Sequence, residues 1–246
     1  MSAWFAAIYL AVAAMAGGIA AIAGAGVDSL LTPLLSLQMD IRLAVVALTG
    51  PHLLFNALRC WTVRAYIDWK TFRRFGVTSA VGSLGGSLLH PVASSGWIAG
   101  IFAALLILAG LFGVSGAAER VRFRRRGAYV GGVLSGFFGG LTGEQGGLRA
   151  AALLGFECSK EAFVATATAA AVVVDTVRVP VYLATHWNDV PKVVVPALLG
   201  MAGIVAGTML GSRLLGRVPE GKFSRLVSAV LLLIGALMIL RLFVNE

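Results

Sequence analysis

Ten apolar segments follow one another with short connections: residues 3–23, 27–38, 41–61, 72–90, 97–116, 127–142, 146–156, 161–183, 192–212 and 225–243. Eight of them approach or reach the roughly 20 residues that cross a bilayer. In hydrocarbon every backbone N–H and C=O must be satisfied within the chain, so such runs fold as helices. An all-α polytopic membrane protein is the expected fold class. Composition agrees, because only 13% of residues are charged against roughly 25% in soluble domains. The first run has no basic stretch before it and no small-residue cleavage site with a soluble domain behind it. It is expected to be a retained helix and not a signal peptide. Cys60 and Cys158 carry no metal-binding spacing and are expected to be packing residues.

Two segments, 27–38 and 146–156, are too short to span as ordinary helices. Each follows a glycine-rich break, "AGAGVD" or "LTGEQGG", and each stands second in its half of the chain. Sliding the sequence on itself by 119 residues aligns Gly17 with Gly136, Gly24 with Gly143, Thr49 with Thr168, Asn56 with Asp175 and Arg59 with Arg178. A further shift of two residues brings Gly82 and Gly86 onto Gly203 and Gly207. These are small-xxx-small spacings that let helices approach closely, and Gly211 extends the second one. The expected organisation is an N-terminal repeat over 1–118, a basic linker over 119–126 and a C-terminal repeat over 127–246. Each repeat would hold four long transmembrane helices and one short broken or half-spanning helix.

Charge placement orients the repeats. Residues 61–74 hold Arg64, Lys70, Arg73 and Arg74. The stretch "ERVRFRRRG" holds Arg120, Arg122, Arg124, Arg125 and Arg126, and residues 213–225 hold Arg213, Arg217, Lys222 and Arg225. The connections 39–42, 90–96 and 184–192 are nearly bare. Basic loops stay in the cytoplasm, so both termini are expected outside and the halves are expected to be inverted relative to one another. Basic loops also explain the net charge of +9, and no nucleic-acid partner is implied. Inner-membrane residence follows from the same argument.

Within the apolar segments stand Arg59, Arg149 and Arg178, with Asp28, Glu144 and Asp175. Charges at membrane depth cost several kcal/mol, so they pair, line a watery cavity or serve transport. Inversion could bring Arg59 and Arg178 from opposite sides to one axis, where guanidinium forks suit an oxyanion. Alternatively both snorkel to the interface, or Asn56/Arg59 and Asp175/Arg178 are plain i,i+3 surface pairs. A broken helix exposes backbone N–H groups that bind anions, which makes Gly24 and Gly26, and Gly143, Gly146 and Gly147, candidate cradles. Plain packing breaks are the competing account. Asn56, Thr49 and Thr168 would add hydrogen bonds. Asp28, Glu144 and Gln145 lie beside the breaks, where an acid could carry a coupling proton, help hold a sodium ion, or only pair with Arg149. His52 could relay a proton or be a satisfied core residue.

Several stretches together resemble the TauE/SafE family of sulfite exporters and sulfonate permeases. They are "GIAAIAGAGVDSLLTPLL" and "GFFGGLTGEQGGLRAAALL", then "AVVALTGPHLLFNALR" and "AFVATATAAAVVVDTVR", the loops "YIDW" and "HWND", and the G-xxx-G helices. The resemblance covers nearly the whole chain. It implies transport of sulfite, thiosulfate or an organosulfonate. One departure bears on substrate: where the family tends to a run of glycines, this chain places Asp28 after the first break and Glu144-Gln145 within the second.

The expected function is therefore a secondary transporter for a small sulfur-containing anion, working by alternating access between two repeats. A passive anion channel and a non-transporting assembly partner remain open at this point. An enzyme does not fit, because no nucleophile–base constellation or metal spacing occurs among the three histidines. No G-x-x-x-x-G-K-[ST] motif is present, so no nucleotide cofactor is expected.

Overall fold

The computed structural model describes residues 1–23, 27–115, 125–144, 146–153, 159–214 and 220–244. The described residues are helical: α1 (Ala3–Ala23), α2 (Val27–Leu35), α3 (Ile41–Val63), α4 (Trp69–Leu89), α5 (Ser95–Ser115), α6 (Arg125–Thr142), α7 (Gly146–Leu153), α8 (Lys160–Thr185), α9 (Val190–Leu214) and α10 (Glu220–Val244). Short 3₁₀ turns, Arg64–Tyr66 and Trp187–Asp189, join α3 to α4 and α8 to α9. They fall at the two loops that match in sequence. The two short segments are indeed short helices, nine residues in α2 and eight in α7. Gly24, Gly26, Gln145, Cys158 and most of the linker expected at 119–126 lie outside the described residues.

Among the described residues, five helices are long and apolar enough to cross a membrane: α1, α3, α5, α8 and α9. Eight were expected. In α6 and α10 the described apolar stretches, Tyr129–Thr142 and Ser228–Phe243, are shorter. Helix α4 is long, but it opens on Lys70, Arg73 and Arg74 and buries Ser79, Ser83 and Ser87 on its inner face. Its polar residues serve packing, which lowers its hydropathy without shortening it.

All five tryptophans are exposed and stand at helix ends. Trp61 and Trp69 flank the basic α3–α4 connection. Trp4, Trp97 and Trp187 lie near the chain start and the bare connections. Exposed indoles at both ends of a bundle match the aromatic belts of a multi-pass membrane protein.

Helix α1 packs along α9 and α6 along α4; α3 lies on α8 and α5 on α10. The two glycine-rich pairs are backbone-to-backbone contacts. A Cβ added to Gly17 would overlap the Ile204 backbone, and one on Gly207 would overlap Ala14. In α4, Gly82 and Gly86 press on the backbones of Val133 and Phe137, while Gly136 and Gly140 of α6 press on Ser79 and Ser83. Without a hydrophobic force between helices in lipid, close approach of this kind supplies the association energy. The largest buried core, with Tyr9, Leu31, Leu35, Leu48, Tyr182 and Ile204, fills the space between α1, α2, α3, α8 and α9.

Asp68 starts α4. Its carboxylate accepts from the N–H of Lys70 and Thr71 at 3.0 and 3.3 Å, and from the Thr71 hydroxyl at 2.6 Å. The Thr71 hydroxyl is the main influence holding its pKa below the ordinary carboxylate value; slight burial opposes it and the N–H groups add to it. Asp68→Ala is expected to cost about 1 kcal/mol, as for other helix N-caps. Because the folded pKa is the lower one, this stabilisation is present above about pH 4 and is lost as pH falls through the folded value. Unfolding of wild type and variant in detergent checks it: the gap should close at the acid end.

Candidate functional site

Four helices and the second break deliver buried polar side chains to one place. After the first break, α2 opens with Asp28 and Ser29. Helix α3 carries His52 and Asn56 one turn apart, so both project from the same face. Helix α8 carries Asp175 and Arg178 at i,i+3. The second break contributes Glu144, and α7 contributes Arg149. Asp28, Ser29, His52, Asn56, Glu144, Arg149, Asp175 and Arg178 are all buried, Asp175 completely and Arg178 to within 1%.

Asp175 is the hub. Its Oδ1 meets Arg178 Nη2 at 2.9 Å, and its Oδ2 accepts from Asn56 Nδ2 at 2.9 Å and lies 2.9 Å from His52 Nδ1. The bond between Asn56 and Asp175 joins the two residues that the 119-residue offset makes equivalent. His52 Nε2 lies 3.3 Å from Asp28 Oδ2, and Arg178 Nη2 is 3.7 Å from that oxygen. Arg178 Nη1 donates to the Gly139 carbonyl at 3.1 Å, near the end of α6. The other oxygen of Asp28, Arg178 Nε and Arg149 Nη1 have no hydrogen-bond partner among the described residues.

The two breaks meet. Glu144 accepts the Ser29 hydroxyl from α2, and its Oε1 accepts the N–H of Gly146 at 3.0 Å, in the first turn of α7. One carboxylate thus links the starts of both short helices, where unpaired N–H groups favour negative charge. Gly143 makes the approach possible. Its φ of +85° lies in the left-handed region that suits glycine. A Cβ there would also stand 3.2 Å from Arg178 Nη1.

In charge, the cluster sets Asp28, Glu144 and Asp175 against Arg149 and Arg178, with His52 between two of the acids. Arg149 is coupled electrostatically to all three carboxylates. No group of three His, Cys, Asp or Glu among the described residues could hold a metal ion. An arginine at the centre is consistent with that.

The structure therefore gathers Asp28, His52, Asn56, Gly143, Glu144, Gly146, Asp175 and Arg178. It does not bring Arg59 to Arg178. Arg59 donates to the Ala20 carbonyl at 2.8 Å and borders an apolar cavity of about 450 Å³ between α3 and α9, with Phe55, Leu58, Met201 and Val205. Thr49 and Thr168 behave alike, each returning its hydroxyl to the carbonyl four residues back, Val45 and Val164, at 2.8 Å. Gly147 lies in α7; Gly24, Gly26 and Gln145 fall outside the described residues. Sequence reasoning missed Ser29 and Tyr182 as members of the site. Tyr182 is one turn beyond Arg178 and donates to the Gly140 carbonyl, so the i+4 spacing from Arg178 was its signal.

Neither a search of curated proteins nor a search of solved structures returns a match. A family model described as sulfite exporter TauE/SafE matches residues 9–238, which includes both short helices, both breaks and every residue of the cluster. This multi-pass helical chain belongs to the sulfite exporter TauE/SafE family.

Proposed function

We propose that the chain is a secondary transporter moving a small sulfur-containing anion (sulfite, thiosulfate or an organosulfonate) across the cytoplasmic membrane by alternating access between two inverted halves. It is not an enzyme. The observation that carries this reading is the buried charged cluster, which both halves build and which sits where the two short helices begin. Buried charge of this density is costly in a membrane and marks a transport pathway. Half-helices starting at a midplane site between repeats are a common transporter arrangement.

Inversion is supported by matched contacts. The first helix of each half packs on the fourth of the other, α1 on α9 and α6 on α4. Within each pair residue numbers rise together: Tyr9 faces Gly200 and Ala14 faces Gly207, while Gly132 faces Thr78 and Gly140 faces Ser83. With basic connections inside, both termini stand outside.

The anion would take the place that Glu144 now fills between α2 and α7. Arg149 Nη1 and Arg178 Nε would receive it, Asn56 would add a donor, and Arg59 would attract it from the side of the basic loops. A built-in carboxylate that swings aside explains how an empty site remains buried without uncompensated cations. The test is flux in proteoliposomes with sulfite, thiosulfate, sulfoacetate, sulfate and chloride. Saturable flux of a sulfur anion, with counterflow, is expected, and Arg149→Gln should lose it while eluting as wild type does. Flux linear in concentration, chloride carried as fast as the sulfur anions, or no flux of any sulfur anion would refute the reading.

A further inference from the structure

Arg178 and Tyr182 of α8 lie between His52 and the other two histidines of the chain. His52 is at the buried end of this series. Arg178 Nη2 stands 3.2 Å from His52 Nδ1, and Tyr182 follows one turn later on α8. The Tyr182 ring is 4.6 Å from that of His90, the residue that ends α4. The His90 ring is 5.5 Å from that of His186, which ends α8 at the bare 184–192 connection. His186 Nδ1 in turn lies 3.7 Å from Asp189 Oδ2. His90 Nε2 and His186 Nε2 have no hydrogen-bond partner among the described residues. The Leu141 carbonyl accepts from His90 Nδ1 at 2.7 Å, so a neutral His90 leaves the lone pair of Nε2 free to take a proton.

Proton counting at His52 shows what such a series would serve. Its two ring nitrogens face two different carboxylates, Asp175 at 2.9 Å and Asp28 at 3.3 Å. A neutral imidazole has one N–H, so one nitrogen would turn a lone pair towards a carboxylate in a low-dielectric interior. Asn56 Nδ2 and Arg178 Nη2 also stand near Nδ1, at 3.1 and 3.2 Å, but each has an Asp175 oxygen closer, at 2.9 Å. The arrangement calls for a second proton, on the imidazole or on Asp28. Around His52 stand Asp28 of α2, Glu144 of the second break, Arg149 of α7, and Asp175 and Arg178 of α8. Arg59 of α3 acts on Arg149 from further along its helix, and Tyr9 of α1 and Tyr182 of α8 supply hydroxyls.

We propose that Asp28, His52 and Asp175 hold one exchangeable proton that travels with the anion, and that His186, His90 and Tyr182 pass it between this cluster and the 184–192 side. The proposal rests on the transporter reading and names its coupling ion. Uptake forms one N–H (or O–H) bond with a proton from water; release to water on the other side breaks that bond, and no electron moves.

Ring-nitrogen NMR of the full chain in detergent, labelled with ¹⁵N-histidine, tests the store without any substrate. His90→Gln and His186→Gln assign the other two signals. His52 is expected to carry protons on both nitrogens at neutral pH and to lose one as pH rises, whereas in Asp28→Asn it should be singly protonated at neutral pH. A singly protonated His52 at every pH in the wild type, with the ¹³C-labelled Asp28 carboxyl ionised throughout, would overturn the proposal. In proteoliposomes, thiosulfate or sulfoacetate entry should carry protons inward and quicken in acid. His52→Gln should lose both effects, and His90→Phe should lower the ratio of net uptake to exchange. Anion flux without proton movement overturns the coupling and leaves the transporter standing. Absence of flux for every sulfur anion overturns both.

Discussion

Replacing Arg178 with leucine is expected to cost about 3–5 kcal/mol of folding stability and to abolish transport, because it leaves the Asp175 carboxylate buried without its one permanent cation. The Arg178 guanidinium holds Asp175 at 2.9 Å and the Gly139 carbonyl at 3.1 Å. It thereby ties α8 to the end of α6 just before the second break. Asn56 and His52 would still approach the orphaned carboxylate, but neither brings a permanent charge. Removing both partners, Arg178→Leu with Asp175→Leu, should recover part of the lost stability and none of the flux. Arg59→Leu provides the comparison. Its half-buried side chain makes a hydrogen bond to a carbonyl, so its loss should cost only about 1 kcal/mol. Thermal unfolding in detergent, beside flux, reads all four proteins. Equal destabilisation by Arg59→Leu and Arg178→Leu would show that the two arginines carry the same burden, against the geometry described here.

That asymmetry marks where sequence reasoning stopped. The repeat offset aligned Arg59 with Arg178 and suggested a symmetrical pair of cations. The same alignment placed Asn56 opposite Asp175, and this difference held the answer. Arg178 has a carboxylate three residues behind it and pairs with it. Arg59 has only an amide there, so it turns to the Ala20 carbonyl instead. The short helices α2 and α7 were legible because a glycine cluster followed by a brief apolar run has few folds available in a membrane. The helix pairs α1–α9 and α4–α6 were half legible: small-xxx-small spacing announces a close partner without naming it. The bridge from Ser29 to Glu144 spans 115 residues and depends on the φ of +85° at Gly143, which no periodicity reveals. Helix α4 was misjudged in character more than in place, since its serines and glycines face inward against α6.

The largest packing effects should come from the two helix seams. Gly86→Ala would drive a methyl group into the carbonyl of Phe137 and the N–H of Leu141, and Gly207→Ala would drive one into the backbone of Ala14. Neither obstacle is the tip of a flexible side chain, so the helices themselves must separate. Each substitution is expected to cost about 1–3 kcal/mol, the usual range for overpacking, and to lower flux with it. Gly96→Ala is the control. Nothing lies within 4 Å of a Cβ at that position, and stability there should stay within about 0.5 kcal/mol of wild type. Gly86 joins α4 to α6 and Gly207 joins α9 to α1, each linking a fourth helix to the first helix of the other half. If the halves are equivalent, the two substitutions should cost similar amounts when unfolding is measured in the same detergent. A silent Gly207→Ala beside a damaging Gly86→Ala would mean the seams do not share one geometry, and the paired-halves mechanism would lose its structural basis.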